Sequence, residues 1–175
     1  AVGDRSDLPH DKRIIKVQNV LSALQELAHY HRTQMRTKVI AITGTNGKTT
    51  TKELIAATLG SKYNVLSTSG NLNNHIGVPL TLLRLNSRHD YAVIEMGANH
   101  QGEIRELCKI ADPDFGLITN IGKAHLEGFL SFEGIIRAKT ELYDFLRDKE
   151  GIIFGNLNNE NLNSFYPYLR VVTYG

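Results

Sequence analysis

Six short runs rich in β-branched and aromatic residues alternate with helical stretches from Lys38 to the last residue of the chain. This alternation is typical of successive βαβ units, which place their strands in a mainly parallel sheet. Because the runs are almost continuously apolar, we expect helices on both faces of that sheet. The pattern therefore predicts an α/β fold, with a mainly parallel sheet flanked by helices. The predicted strands cover residues 38–43, 64–68, 91–96, 115–120, 151–156 and 170–175.

Three stretches show the spacing of a helix with one buried face. The first follows Asn19, a favourable N-cap residue, and its predicted stripe contains Val20, Leu21, Leu24, Leu27, Ala28 and His31. The second contains Ile104, Leu107, Cys108 and Ala111, and the third contains Phe132, Ile135, Ile136, Leu142, Tyr143 and Leu146. The first dozen residues are polar and without periodicity, so we expect a loop there.

Composition excludes several classes of protein. With 175 residues, 41% of them hydrophobic, the chain suffices for one globular domain. The net charge of +2 comes without a run of Lys and Arg, so we expect no nucleic-acid partner and no membrane-surface patch. A single cysteine, Cys108, permits no internal disulfide. No apolar stretch approaches about 18 residues, so we expect no membrane insertion and a cytoplasmic protein.

The first predicted strand runs directly into the sequence GTNGKTT, and a helix-compatible stretch follows. Glycines at 44 and 47 allow a tight turn that aims backbone N–H groups at phosphate oxygens, and the helix N-terminus favours the same anion. Lys48 would then reach the terminal phosphates, and the Thr49 hydroxyl would ligate magnesium. The alternative is a simple glycine-rich turn. The candidate nucleotide-binding residues here are Gly44, Thr45, Asn46, Gly47, Lys48, Thr49 and Thr50.

The loop is a variant, since the general phosphate-loop pattern has glycine where this chain has Ile42.

Five predicted strands end in polar residues, at the edge of the sheet where α/β proteins bind ligands. These residues are Thr43, Thr68, Glu95, Asn120 and Asn156. Turn and cap formation explains the Thr and Asn residues individually. It explains Glu95 poorly, because a carboxylate after Ala92, Val93 and Ile94 is costly unless a cation or hydrogen-bond donors meet it. We interpret Glu95 as a magnesium ligand, and the alternative is a carboxylate satisfied by backbone amides.

Lys139 falls on the inward stripe of the last predicted helix. A buried lysine is costly unless it is paired or neutral, and burial lowers its pKa towards the reactive amine. It would serve as an ion-pair partner for Glu95, or as a carbamate formed with carbon dioxide that binds magnesium. Snorkelling to the surface is the ordinary alternative, which periodicity alone favours. His125 lies in a preceding loop from which a metal or reacting carboxylate is reachable, although a lone loop histidine ordinarily contacts neither.

Together these residues resemble the Mur ligase family. The resemblance lies in GTNGKTT at 44–50, in Glu95 after an apolar strand, and in His125 followed fourteen residues later by Lys139. Three longer segments are similar to the branch that adds D-alanyl-D-alanine to UDP-N-acetylmuramoyl-tripeptide. They are GNLNNHIGVPLTLL at 70–83, EMGANHQGEI at 95–104 and TNIGKAHLEGF at 119–129. Other branches tend to have serines or a glycine-rich run after the glutamate, so EMG favours this one.

The resemblance implies an ATP-dependent ligase of peptidoglycan precursor synthesis, with ATP and Mg²⁺ as cofactors. A substrate carboxylate would attack the γ-phosphate of ATP, and the amine of D-alanyl-D-alanine would displace phosphate from the resulting acyl phosphate. Lys48 would stabilise the transferred phosphoryl group, and Thr49 and Glu95 would hold one magnesium ion. His125 and carbamylated Lys139 would serve a second. Motif residues lining the phosphate and substrate side would be Asn71, Asn73, Asn74 and Asn120.

The resemblance also implies a division of the chain. Residues 1–36 would be the tail of an N-terminal domain with a connecting helix, and residues 37–175 would be part of the central ATP-binding domain. We therefore expect further domains of the same enzyme as partners, and no ligation by this chain alone. Asn19 and Thr140 stand where relatives often have Asp and Gly. Another amino-acid ligase of the family, a non-catalytic nucleotide-binding module and a small-molecule kinase are the competing interpretations, the last disfavoured by Ile42.

Overall fold

The computed structural model describes residues 1–7, 9–122, 129 and 131–175. All six predicted strands are present and form one parallel sheet, in the order β4-β5-β3-β6-β7-β8. The strands are β3 (Lys38–Thr43), β4 (Val65–Ser67), β5 (Tyr91–Glu95), β6 (Phe115–Ile118), β7 (Ile152–Asn156) and β8 (Arg170–Tyr174). Five of them are one or two residues shorter than predicted.

Two further strands lie before α1, and the first of them falls within the dozen residues that we predicted to be a loop. Val2–Gly3 (β1) pairs in parallel with Ile15–Lys16 (β2) in a separate two-stranded sheet. Strands of two residues have no readable alternation, so the prediction of a plain loop was wrong for a physical reason.

The helices are α1 (Val20–Thr33), α2 (Lys48–Gly60), α3 (Gly77–Leu82), α4 (Glu103–Ala111), α5 (Phe132–Asp148) and α6 (Glu160–Asn163), with a 3₁₀ turn at Tyr166–Tyr168. Asn19 caps α1 as predicted, because its side chain accepts a hydrogen bond from the Ser22 amide. None of the helices within the described ranges is long and apolar enough to cross a membrane.

The buried face of α1 differs from the predicted stripe. Val20 and Leu27 are 37% and 55% exposed, whereas Ala28 and Arg32 are buried. Arg32 donates hydrogen bonds to the carbonyls of Ala111 and Asp112, at the C-terminal end of α4. A polar anchor therefore sets the rotation of this helix, which apolar periodicity does not detect.

Helices cover both faces of the sheet unevenly. On one face, α2 packs alone against Ile40, Ile42 and Val93. On the other face, α1, α3, α4 and α5 bury a larger apolar cluster that includes both predicted stripes of α4 and α5. Because helices cover both faces, the central strands are buried on both sides, which is consistent with their near-continuous apolar sequence.

The central strand β3 pairs with β5 on one side and with β6 on the other. Ile42 lies opposite Glu95, and Thr43 lies opposite Ile118. The carboxyl ends of three strands therefore meet at one rim, where the strand order reverses direction along the chain. This is the position at which open parallel sheets bind ligands.

Candidate functional site

A tight loop joins β3 to α2 at this rim. Gly44 (φ 140°) and Gly47 (φ 76°) adopt backbone conformations that favour glycine. A side chain at Gly44 would also collide with the Thr119 hydroxyl. The first intrahelical bond of α2 runs from the Thr51 amide to the Gly47 carbonyl, 2.9 Å away. The amides of Lys48, Thr49 and Thr50 therefore have no partner within the helix, and they form a positive N-terminus that suits an anion.

The residues that follow β6 hold this loop. Asn120 accepts a hydrogen bond from the Asn46 amide at 3.0 Å and donates one to the Asn46 carbonyl at 3.2 Å. The Thr119 hydroxyl donates to the same carbonyl at 2.7 Å, and the Thr45 amide donates to the Asn120 carbonyl. The structure thus places Asn120 as a support of the loop backbone, with both ends of its side-chain amide bonded to Asn46.

Lys48 turns back over the loop that precedes it. Its ammonium donates to the carbonyls of Gly44 and Thr45 at 2.8 and 3.1 Å. Burial lowers the pKa of this lysine, and the negative charge of Glu95 partly offsets the decrease. Lys48 and Glu95 are therefore close enough to interact through charge, at the rim where the sequence predicted them.

Glu95 is 2% exposed at the end of β5. The Thr49 hydroxyl donates to its Oε2 at 2.9 Å, and the Asn73 side-chain amide donates to its Oε1 at 2.8 Å. Both donors are side chains, so the alternative in which backbone amides satisfy the carboxylate was wrong. Among residues with described positions, no Lys, Arg or His forms a salt bridge with Glu95.

Lys139 is buried on α5, with 4% exposure. The alternative in which it snorkels to solvent was therefore wrong, because its position lies where α5 packs against the loop that follows β5. Its Nζ lies 3.5 Å from the Ala98 carbonyl and 5.4 Å from the centre of the Phe129 ring. Within the described chain it forms no salt bridge, so the ion pair with Glu95 is not observed either.

The surroundings of Lys139 lower the pKa of its amine. Desolvation lowers the pKa of Lys139 to about 8, and the positive charge of Lys48 acts in the same direction. The carboxylates of Glu103 and Glu141 act in the opposite direction with smaller effect. At this pKa roughly a tenth of the amine is unprotonated at pH 7, and the unprotonated amine is the form that reacts with electrophiles such as carbon dioxide.

A cleft of about 740 Å³ opens beside these groups. Lys48, Asn73 and Ala98 line it at the rim, and Leu21 and Gln25 of α1 line it further out. The cleft connects the phosphate-loop lysine with a surface large enough for an extended ligand.

The three predicted substrate asparagines differ in their positions. Asn73 lines the cleft and donates to Glu95. Asn74 also lines it, but its Oδ1 accepts from the amides of Ile76 and Gly77 at the start of α3. Asn71 is exposed and does not line the cleft. Only Asn73 is thus directly joined to the acidic group.

The remaining histidines and strand ends add little to the site. His125 lies outside the described residues. His75 lines the cleft, and His100 contacts Glu103, whose carboxylate accepts from the Asn99 amide in the loop before α4. The side chain of Asn156 accepts from the Asn158 amide, which makes it a turn former.

Besides Arg32, the sequence analysis missed two buried charged residues. Lys52 of α2 has no exposed surface, and Glu141 of α5 is 6% exposed. Lys52 precedes Ile55, Ala56 and Leu59 on the stripe of α2 that faces the sheet. The signal that drew attention to Lys139, a charge on an apolar stripe, was therefore also present at Lys52.

No group of three or more His, Cys, Asp and Glu side chains that could hold a metal occurs in the parts of the chain that the structure covers. Glu95 is a single carboxylate beside one hydroxyl. Mg²⁺ sites in nucleotide-binding proteins are commonly built this way, since phosphate oxygens and water supply the other ligands. The donor set fits magnesium held jointly with a nucleotide.

The Mur ligase middle domain family matches residues 42–175. UDP-N-acetylmuramoyl-tripeptide–D-alanyl-D-alanine ligase of Bacillus subtilis is 45% identical over 167 residues, which cover 95% of this chain and 36% of the relative. The enzyme of the same name from Escherichia coli is 46% identical over 157 residues, which cover 90% and 34%. The chain thus spans about a third of the length of these relatives.

Solved structures show the same similarity. MurF ligase from Thermotoga maritima in complex with ADP has a TM-score of 0.90 and 34% identity, covering 99% of this chain and 40% of that one. MurF from Acinetobacter baumannii has a TM-score of 0.89 and 39% identity, covering 99% and 39%. The parallel sheet and its flanking helices therefore match known folds over nearly all of this chain.

Proposed function

This chain belongs to the Mur ligase family, and on that basis we propose that it is the ATP-binding section of a ligase that joins D-alanyl-D-alanine to UDP-N-acetylmuramoyl-tripeptide. Residues 37–175 would form part of the central domain, and residues 1–36 the end of a preceding domain with its connecting helix. The product would be a peptidoglycan precursor. Support comes from the relatives named for this reaction and from a rim that gathers an anion site, a buried acid and a buried amine.

In the proposed reaction the terminal carboxylate of the tripeptide attacks the γ-phosphate of ATP, and ADP leaves. The amine of D-alanyl-D-alanine then attacks the acyl phosphate, an amide forms, and inorganic phosphate leaves. Chemistry of this kind depends mainly on positioning and on neutralisation of phosphate charge. The loop at residues 44–50 and the ammonium of Lys48 would supply both.

Thr49 and Glu95 would hold one Mg²⁺ ion together with the nucleotide phosphates. When bound, the ion neutralises phosphate charge and polarises the phosphoryl group. Glu95 would contribute the charge, and its two hydrogen bonds keep the carboxylate aimed at the rim. Carbamylated Lys139 and His125 would serve a second ion and orient the substrate carboxylate, and Asn71, Asn73 and Asn74 would lie on the substrate side.

One observation carries this proposal: a carboxylate that is 2% exposed accepts hydrogen bonds, within the described residues, from neutral side chains, directly beside a helix N-terminus and a lysine. A buried carboxylate without a cation lowers the free energy of unfolding by roughly several kcal/mol. A protein that binds a metal–nucleotide complex at this point recovers that cost. A protein of the same fold that bound no ligand at this point would gain nothing from a buried acid at position 95.

The test is made with the full-length protein and with this chain alone. We expect the full-length protein to release phosphate from ATP only when both the tripeptide precursor and D-alanyl-D-alanine are present. A panel of single amino acids and other dipeptides serves as the control. Better turnover with a single amino acid would assign another branch of the family, and product formation by this chain alone would contradict its role as a section.

Lys139→Ala in the full-length protein separates a ligase from a non-catalytic nucleotide-binding module. The ligase proposal predicts near-complete loss of turnover, whereas the module predicts unchanged behaviour. Binding of ADP, measured by calorimetry, is the control for folding and should persist in the variant. Unchanged turnover would overturn the role of Lys139.

A further inference from the structure

Lys52 is a buried cation that the proposed reaction does not use. Its side chain has no exposed surface, although lysines are almost never fully buried without a partner. Among the described residues it forms an ion pair with Glu53, at 2.8 Å, whose side chain is 65% exposed. An ion pair with such an exposed acid contributes little. Another contact must therefore account for the burial.

That contact is the backbone at the end of β4. The ammonium of Lys52 donates to the Thr68 carbonyl at 2.6 Å, which is short for a charge-assisted hydrogen bond. β4 is three residues long and lies at the edge of the sheet, where only β5 pairs with it. Lys52 thus ties a short edge strand to the helix that begins at the phosphate loop.

Thr68 in turn holds Glu95. Its hydroxyl accepts a hydrogen bond from the Glu95 amide at 2.9 Å, and its own amide donates to the Val93 carbonyl at 3.0 Å. Every polar group of Thr68 is therefore used. The result is a continuous chain of hydrogen bonds from the Lys52 ammonium through Thr68 to the backbone of the buried acid.

The same helix also contacts Glu95 directly, through Thr49. Thr49 and Lys52 are three residues apart on α2, and they reach the side chain of Glu95 and the residue that fixes its backbone. The distance between the helix N-terminus and the carboxylate is thus set by two contacts on consecutive parts of one helix. Loss of either contact leaves the helix free to shift relative to β5.

We propose that Lys52 is a positioning residue that fixes Glu95 relative to the phosphate-loop helix, and so sets the affinity of the site for a divalent cation. This inference rests on the proposed role of Glu95 as a metal ligand. Lys52 itself contacts neither nucleotide nor cation. Groups behind a metal ligand commonly change metal affinity about 10- to 100-fold when they are removed.

The test measures cation binding separately from nucleotide binding. Mn²⁺ is titrated into the full-length protein saturated with ADP, and free Mn²⁺ is followed by electron paramagnetic resonance. We expect Lys52→Met to raise the Kd of Mn²⁺ about 10- to 100-fold. The Kd of ADP in EDTA should change less than about twofold, because the loop amides and Lys48 remain in place.

Two variants keep the test sharp. Thr68→Val breaks the same chain of hydrogen bonds without removing a charge, and should raise the Kd of Mn²⁺ in the same way. It also replaces Lys52→Met if that variant does not fold. Glu53→Gln is the matched control, since it removes the ion pair and leaves the bond to Thr68, so the Kd of Mn²⁺ should not change.

An unchanged Kd of Mn²⁺ in Lys52→Met would overturn the inference, and so would an equal loss of ADP binding in EDTA. A shift with Glu53→Gln as large as that with Lys52→Met would also overturn it, since the ion pair would then be the important contact. If the wild-type protein with ADP binds no Mn²⁺, the proposed metal site itself is wrong, which is a different result from a failure confined to the variants.

Discussion

At the scale of single residues, the site contains two buried charges of opposite sign that do not neutralise each other directly. Glu95 and Lys139 are 2% and 4% exposed. Glu95 is bonded to a hydroxyl and an amide, and Lys139 faces a carbonyl and an aromatic ring. Each side chain therefore keeps much of its desolvation cost. Such costs are typical of sites whose charges are balanced by a ligand.

Replacing the acid should separate activity from stability. Glu95→Gln is expected to lower the turnover of the full-length protein at least about 100-fold, equivalent to about 2.7 kcal/mol, because the cation loses its charged ligand. In EDTA the free energy of unfolding should stay equal or increase, because an unpaired buried charge is removed. Urea denaturation and initial rates measure the two effects. Glu26→Gln, on an exposed position of α1, should change neither, and a large loss of stability in Glu95→Gln would contradict the interpretation.

The burial of Lys139 predicts a pH dependence. Its folded pKa of about 8 lies below the unfolded value of about 10.4. The folded protein therefore binds fewer protons between these values, so the destabilisation is full below pH 8 and disappears as the pH rises to about 10.4. In EDTA and CO₂-free buffer, Lys139→Met should exceed the wild type in stability by on the order of 3 kcal/mol near pH 7. The difference should vanish near pH 10.5, and a constant difference would contradict the shift.

The residues of the site differed in how well the sequence predicted them. Glu95 was conspicuous because a carboxylate interrupts an apolar strand. The burial of Lys139 was not decidable, since a flexible four-carbon side chain allows one backbone position to reach either solvent or the interior. Lys52 carried the same signal and was overlooked, because the neighbouring phosphate-loop motif explained that part of the chain.

At the scale of elements, α4 and α5 are joined by a carboxylate rather than only by apolar packing. Glu141 of α5 accepts hydrogen bonds from the amides of Gly102 and Arg105, at the N-terminus of α4. The residue before α4 is glycine, so no side chain from its own N-cap position takes this role. The negative charge also lies at the positive end of the helix. Glu141 thus holds the wall of the cleft that begins at Gly97.

Removing this cap should destabilise the fold by more than an ordinary surface contact. Glu141→Ala is expected to lower the free energy of unfolding by about 1–3 kcal/mol, because two amides lose a charged acceptor. Asp144→Ala on the same helix is the matched control. Asp144 pairs with Arg147 at the surface, and its loss should cost less than about 0.5 kcal/mol. Chemical denaturation of both variants measures the difference, and equal effects would show that the cap is unimportant.

The prediction of helices and strands succeeded where periodicity was strong and failed where polar contacts decide the arrangement. The stripes of α4 and α5 are buried as expected. The buried face predicted for α1 was wrong, because Arg32 is buried there by hydrogen bonds to carbonyls 79 and 80 residues away in the sequence. Contacts at such separation leave no local pattern.

At the scale of the whole molecule, a second polar cluster holds α1 to the opposite end of the sheet. Arg32 and Lys38 form salt bridges with Asp114 at 3.0 and 2.8 Å, and the Val39 amide donates to the same carboxylate. Our division of the chain after residue 36 therefore separates Arg32 from Asp114, its largely buried ion-pair partner. In physical terms α1 packs as part of the unit that contains the sheet.

This cluster predicts the acid sensitivity of the whole fold. Desolvation raises the pKa of Asp114, but the hydrogen bonds from Lys38 and Val39 outweigh it and lower the pKa overall. The stabilisation is therefore full above the unfolded value of about 3.9 and is lost as the pH falls through the lower folded value. Asp114→Asn should cost about 3 kcal/mol at pH 7, since Arg32 loses its buried partner. In thermal unfolding, the difference in stability between the wild type and Asp114→Asn should narrow towards pH 2. A difference independent of pH would contradict this assignment.

The bonds of Lys48 to the carbonyls of Gly44 and Thr45 have a consequence for the entry of a polyphosphate. The ammonium of Lys48 already stabilises the curved backbone to which phosphate oxygens would bind, and Asn120 supports the same turn from the other side. When a polyphosphate binds, the Lys48 ammonium would exchange these carbonyls for phosphate oxygens. Little of the loop backbone would then still have to become ordered. Most of the conformational entropy that such a turn must lose has been lost already during folding.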